Sequence, residues 1–151
     1  MSSTASVIVG CRLCGAKNRV PVERLGDAGR CGSCKEILPA ASEPIAADES
    51  LFDAIVTAAK VPVFVDLWAA WCGPCRMAAP EVEKLAQEMS GRAIVLKVDT
   101  EANERLAARY RIQSIPSFLV LHRGQVVLQR AGVVPHTEMR RWVMDATSAA
   151  R

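Results

Sequence analysis

The chain has no apolar run long enough to cross a membrane and no basic, apolar, small-residue leader. Met1–Ser6 is polar and uncharged, and Val7–Val9 is far too short to span a bilayer. These absences predict a soluble cytoplasmic protein with no membrane partner, whose thiols rest in the reduced state. A strong charge imbalance is missing too: 19 Lys and Arg against 16 Asp and Glu leave a formal charge of +3. No aromatic or basic clustering surrounds Cys11–Cys34, which with the near-balanced charge argues against nucleic acid as a partner. Repeats and low-complexity tracts are absent, which sets aside solenoids and disordered tails. What is present, 151 residues of which 50% are hydrophobic, suffices for one ordinary core and a small appendage.

No cysteine stands alone. All six fall in three Cys-x-x-Cys pairs. Cys72 and Cys75 lie in Trp71-Cys72-Gly73-Pro74-Cys75, just after the apolar run Val61–Trp68. Two intervening residues let the sulfurs approach within bonding range while the closed ring stays small, so the bond can form and break without unfolding. Pro74 suits a first helical turn, where a missing N–H costs nothing, and the free N–H groups there favour a thiolate at Cys72. Cys75, a turn further in, is expected to be the more enclosed. On this reading Cys72 is the nucleophile and Cys75 the resolving thiol. On spacing alone, a metal knuckle is the alternative.

Cys11/Cys14 and Cys31/Cys34 enclose sixteen residues in a polar, Gly-rich segment, the spacing of a zinc ribbon. Gly15 after Cys14 and Gly32 inside the second pair would help each pair turn tightly. Only Val20, Val22 and Leu25 offer a core, so the segment cannot fold on burial alone, and a metal can supply on the order of 10 kcal/mol. Two disulfides or an iron centre are the alternatives, and a reducing compartment argues against the first. With four protein ligands and no open position, one structural Zn²⁺ per chain is expected, which would bring the net charge to about +1.

Pro39-Ala-Ala-Ser-Glu-Pro44 reads as an extended stretch of small residues and prolines. It divides a module over 1–39 from a linker at 40–43 and a domain over 44–151. Beyond it the pattern predicts an edge strand at 45–47 and a helix over 49–59 capped by Asp48. A central strand follows at 61–68, and then a helix over 74–89 kinked at Pro80. Further on come a strand at 93–98, a helix over 102–110, a hairpin pairing 118–121 with 126–128 around Arg123-Gly124, and a last helix over 137–147.

The Trp-Cys-Gly-Pro-Cys sequence, its upstream strand and this element order resemble the thioredoxin family. With the four-cysteine module in front, the chain is similar to the bacterial thioredoxin 2 type. The resemblance implies an α/β thioredoxin fold, a mixed central sheet flanked by helices, preceded by a zinc ribbon. It implies a protein-disulfide reductase without a bound organic cofactor, recharged by an NADPH-dependent thioredoxin reductase and acting on disulfide-containing client proteins. Asp66, in the apolar strand six residues before Cys72, matches the family's buried acid and would carry a proton for Cys75. Its alternative is a strand end emerging into solvent. Lys97 matches the lysine near that acid, although lysines readily reach solvent from strand ends. Ser114-Ile115-Pro116 matches the family's cis-proline loop, which would offer the Ile115 backbone to a client strand. Gly132 would let a partner backbone approach, or serve as a turn glycine. Trp71, Gly73 and Pro74 would complete an apolar docking face around Cys72. The rival classes are a disulfide oxidase or isomerase, and a zinc-ribbon binding module with a passive thioredoxin domain.

Overall fold

The structure is a computed structural model and describes residues 5–149. Its centre is a five-stranded sheet in the order β5-β7-β6-β8-β9, with β5 Ile45–Ala46, β6 Val63–Trp68, β7 Ile94–Asp99, β8 Ser117–His122 and β9 Gln125–Ala131. β6 is the middle strand because its residues from Val63 to Leu67 are all buried, which only two covered faces allow. It runs parallel to β7 and antiparallel to β8.

Strand alternation sorts the side chains onto the two faces. Val63, Val65 and Leu67, with Ile94, Leu96 and Val98, pack against α1 (Glu49–Ala58) and α3 (Glu104–Arg109). Phe64, Val95, Phe118 and Val120 pack against α2 (Gly73–Glu88) and α4 (His136–Ala149). The mixed sheet between helices is the arrangement the family resemblance implies. Asp48 caps α1, its Oδ1 accepting from the Leu51 N–H at 2.8 Å. Arg123 and Gly124, both at positive φ, turn the hairpin. α2 continues through Pro80. α3 starts later than predicted because Asp99 Oδ1 accepts from the N–H groups of Glu101 and Ala102, holding 99–103 in a turn.

The N-terminal module is two small hairpins. β1 (Ser6–Gly10) pairs with β2 (Lys17–Pro21), and β3 (Gly29–Arg30) with β4 (Ile37–Leu38). Among the described residues, its own core is Cys11, Cys31 and Leu38, flanked by Val9, Ala16, Val20 and Cys34. Sequence assigns Val22 and Leu25 to this core, but the structure does not. Both lie on and beside a 3-10 turn (Val22–Arg24) and are buried with Phe52, Ile55 and Val56 in the α1 side of the larger core. The stretch after β4 is fastened as well: Ala40 is buried, Ser90 Oγ donates to its carbonyl at 2.8 Å, and Ala41 N–H donates to Leu25 O at 2.9 Å.

Candidate active site and metal centre

Cys72 is the N-cap of α2, with extended backbone angles, and its Sγ accepts the Cys75 N–H at 3.1 Å. The Cys75 N–H, one of the first-turn donors that the helix leaves unpaired, therefore points at this sulfur, where it stabilises negative charge. Cys72 and Cys75 are joined as a disulfide with Cα atoms 5.2 Å apart. In this oxidised form exposure does not separate them, since Cys72 is 3% and Cys75 5% exposed. Sequence expects Cys75 to be the more enclosed, but both sit in a small cluster with Ala69, Trp68 and Ile115. Position on the helix is what distinguishes the two thiols. Arg76, which sequence reasoning passed over, donates to Ala70 O at 2.7 Å and fastens the loop leading into the pair.

Ile115 and Pro116 are joined by a cis bond, and the Ile115 carbonyl oxygen is 3.7 Å from Cys72 Sγ. Gly132 N–H donates to Pro116 O at 3.0 Å, which brings the end of β9 to the same surface. Gly132 has φ +99, a backbone angle that disfavours any side chain, and a Cβ there would meet nothing within 4 Å. Trp71, Gly73 and Pro74 are exposed beside the disulfide. The indole N–H of Trp71 donates to Glu101 Oε1, a partner thirty residues away that no local pattern could announce.

Asp66 is 1% exposed, so the solvated-end alternative does not hold. It faces Lys97 on β7 and Phe118 on β8. Its Oδ1 has no hydrogen-bond partner among the described residues. Burial pushes its carboxyl up to about 7, against the opposing pull of the Lys97 charge. Lys97 is half-buried, with its ammonium 5.2 Å above the Trp68 ring.

In the module, the sulfurs of Cys11, Cys14, Cys31 and Cys34 all lie within 4.8 Å of one another. Cys11 to Cys34 is 3.7 Å and Cys14 to Cys31 is 3.6 Å. A tetrahedron with metal–sulfur bonds of about 2.3 Å has edges of about 3.8 Å, so the four thiols fit a metal ion. The two knuckles are copies of each other. Cys11 N–H bonds Ala16 O and Gly15 N–H bonds Cys11 O; Cys31 N–H bonds Glu36 O and Lys35 N–H bonds Cys31 O, all between 2.8 and 3.0 Å. The left-handed position in the first is Gly15 and in the second Lys35, not Gly32. Asn18 joins the knuckles, donating to Ala16 O at 3.4 Å in the first and to Cys31 Sγ at 3.5 Å in the second, and accepting from Gly32 N–H at 2.9 Å. The backbone N–H of Cys34, the Asn18 amide and the Ser33 N–H together hold the Cys31 thiol down to about 6.

A left-handed Lys costs about 1 kcal/mol over Gly. Lys35→Gly is therefore expected to make the metal harder to remove, raising the chelator concentration for half-release about fivefold. Gly15→Lys should lower it comparably, and a competition titration reads both. Equal midpoints in all three proteins would show that the knuckle carries no such strain.

A redox-active pair at a helix N-terminus on this mixed sheet defines a dithiol–disulfide oxidoreductase. Residues 42–145 match the Thioredoxin family model, and residues 10–36 match the model described as Thioredoxin 2, N-terminal. Thioredoxin C-3 of Corynebacterium nephridii is 38% identical over 91% of this chain and 93% of its own. Thioredoxin 1 of a Nostoc species is 45% identical over 60% and 85%. Among solved structures, thioredoxin F from spinach chloroplast superposes with a TM-score of 0.66 at 31% identity, covering 71% of this chain and 88% of that one. The chain belongs to the thioredoxin family, of the thioredoxin 2 type with an N-terminal zinc-ribbon module, and it is a protein-disulfide reductase.

Proposed function

We propose that Cys72 is the attacking thiolate and Cys75 the resolving thiol. The Cys72 thiolate attacks one sulfur of a client disulfide, forming a mixed disulfide and releasing the other client sulfur as a thiolate. Cys75 then loses its proton to the Asp66 carboxylate and attacks Cys72 Sγ. This frees the second client sulfur and leaves the Cys72–Cys75 disulfide. Two electrons from an external dithiol donor restore the pair; an NADPH-dependent thioredoxin reductase of the cell's reducing compartment, the cytoplasm, is that donor. The observation that carries the reading is the Cys75 N–H aimed at Cys72 Sγ at the start of α2. Ile115, Pro116 and Gly132 supply backbone beside the sulfur, and Trp71, Gly73 and Pro74 the apolar surround for a client strand. Cys11, Cys14, Cys31 and Cys34 hold one Zn²⁺ per chain as a structural ion. Reduction of insulin disulfides with the reductase and NADPH tests the cycle.

The proton transfer carries a pH signature. The Asp66 carboxyl stands at about 7 in the folded protein against 3.8 when free. The folded state thus holds a proton that the unfolded chain has released. Stability is undiminished below about pH 4, falls as pH rises through 7, and is lower by up to about 4 kcal/mol above it. Asp66→Asn removes this loss, so the variant should be about 2–4 kcal/mol more stable than its parent at pH 8, the gap closing towards pH 4. Its turnover near pH 7 should fall at least about tenfold, because Cys75 has lost its proton acceptor. Denaturation curves and kcat across this range check both; parallel pH profiles for the two proteins would make the carboxyl a bystander.

A further inference from the structure

Among its described residues, the zinc-ribbon module carries three large, exposed apolar side chains: Ile8 (52% exposed), Leu13 (73%) and Ile37 (63%). All three line one groove of about 450 Å³, within the roughly 300–1,000 Å³ of ligand sites. One wall is residues 7–13, running from β1 into the first knuckle. The other is residues 37–46, running from β4 into β5. Among the described residues, β1 has a ladder partner, β2, on one edge only, and β5 has β7 on one edge only. Neither β2 nor β7 contributes a residue to the groove. It therefore lies against the sides of β1 and β5 turned away from those partners, where an added strand finds backbone to pair with. The lining holds one cation and one anion, Arg12 and Glu43, which face each other at 3.8 Å. Charge complementarity thus selects an uncharged occupant.

The groove also leads towards the active site. At Ala46 it meets a second cleft of about 520 Å³, whose walls include Trp68, Lys97 and Asp99. Trp68 packs in the cluster that contains Cys72 and Cys75. A chain lying in the groove is thus carried along the β5 edge of the sheet towards the face where a client disulfide docks.

We infer that the groove is a second client-binding subsite, taking an extended, uncharged, apolar segment of the same polypeptide whose disulfide Cys72 attacks; this rests on the assignment of Cys72 given above. The substrate class that follows is disulfides in unfolded or partly unfolded chains, where an apolar segment is free to pair as a strand. A disulfide on a rigid folded surface cannot offer one.

The test uses the full-length, metal-loaded protein and three disulfide peptides sharing one cystine ring: bare, extended by about eight uncharged apolar residues, and extended by as many charged ones. The apolar extension should lower KM about tenfold with kcat unchanged. Ile8→Glu and Ile37→Glu, at exposed positions, should return that KM to the value of the bare peptide and leave the bare peptide unaffected. Ile8→Thr, which keeps a strand-forming residue, should lie between. Equal KM for the bare and apolar-extended peptides overturns the subsite. So does a charged extension that binds as well, or a variant that weakens all three peptides alike. A concentration-dependent dimer dissolved by Ile8→Glu also overturns it, by making a second copy the occupant. If Cys72→Ser still reduces the bare peptide at the wild-type rate, the assignment of Cys72 fails instead.

Discussion

Cys72→Ser is expected to reduce client disulfides at least about a thousandfold more slowly, and Cys75→Ser to accumulate its clients as stable mixed disulfides. The asymmetry follows from the helix. Both sulfurs are enclosed in the oxidised pair, so access alone predicts no difference between the two variants. The Cys75 N–H, however, is spent on Cys72 Sγ at 3.1 Å, and the first turn of α2 places its positive end at that sulfur. Ile115 O stands 3.7 Å from the same atom, so a strand pairing with the Ile115 backbone brings its cystine to Cys72. Without Cys75 the first exchange still runs, and no second thiol of the pair resolves the mixed disulfide. Mass spectrometry of non-reduced adducts reads the difference, and adducts forming on Cys72→Ser but not on Cys75→Ser would exchange the two roles.

The parts of this site that sequence makes legible are those encoded locally. β6 stands out because a strand covered on both faces must be apolar throughout, and Asp66 stands out because it interrupts that run. The Cys-x-x-Cys pairs announce themselves because sulfur spacing is fixed by the chemistry of a small ring or a metal tetrahedron. What sequence leaves hidden depends on distant approach. Glu101 meets Trp71 thirty residues away, and Asn18 reaches Cys31 only once both knuckles are folded. Gly32 looks like the turn residue of the second knuckle because glycine tolerates positive φ, yet hydrogen-bond geometry puts the left-handed turn one residue after Cys34, at Lys35. Val22 and Leu25 illustrate another limit. Composition says that they are buried but not against what, and their packing on α1 changes what the metal stabilises.

Chelating the metal is therefore expected to reach beyond the module. Cys11, Cys31 and Leu38 form too small a core to persist without the ion, so the two hairpins should lose their order when it leaves. Val22 follows directly on β2, and Leu25 lies four residues before β3. Both are 1% exposed within the cluster that holds Phe52, Ile55 and Val56 of α1. Loss of the hairpins frees this turn to leave the core, exposing one face of α1. The stability of the Cys72–Cys75 domain should then fall by about 2–5 kcal/mol and its unfolding midpoint by about 10–20 °C, while the domain still folds. Leu25→Ala with the metal bound should reproduce about 2–4 kcal/mol of this loss at full metal content. Tryptophan fluorescence follows the domain directly, since Trp68 and Trp71 flank the active-site loop and Trp142 lies in the core on the α4 side. A chelated protein with an unchanged midpoint, together with a silent Leu25→Ala, would mean that the module and the sheet share a boundary but no stability.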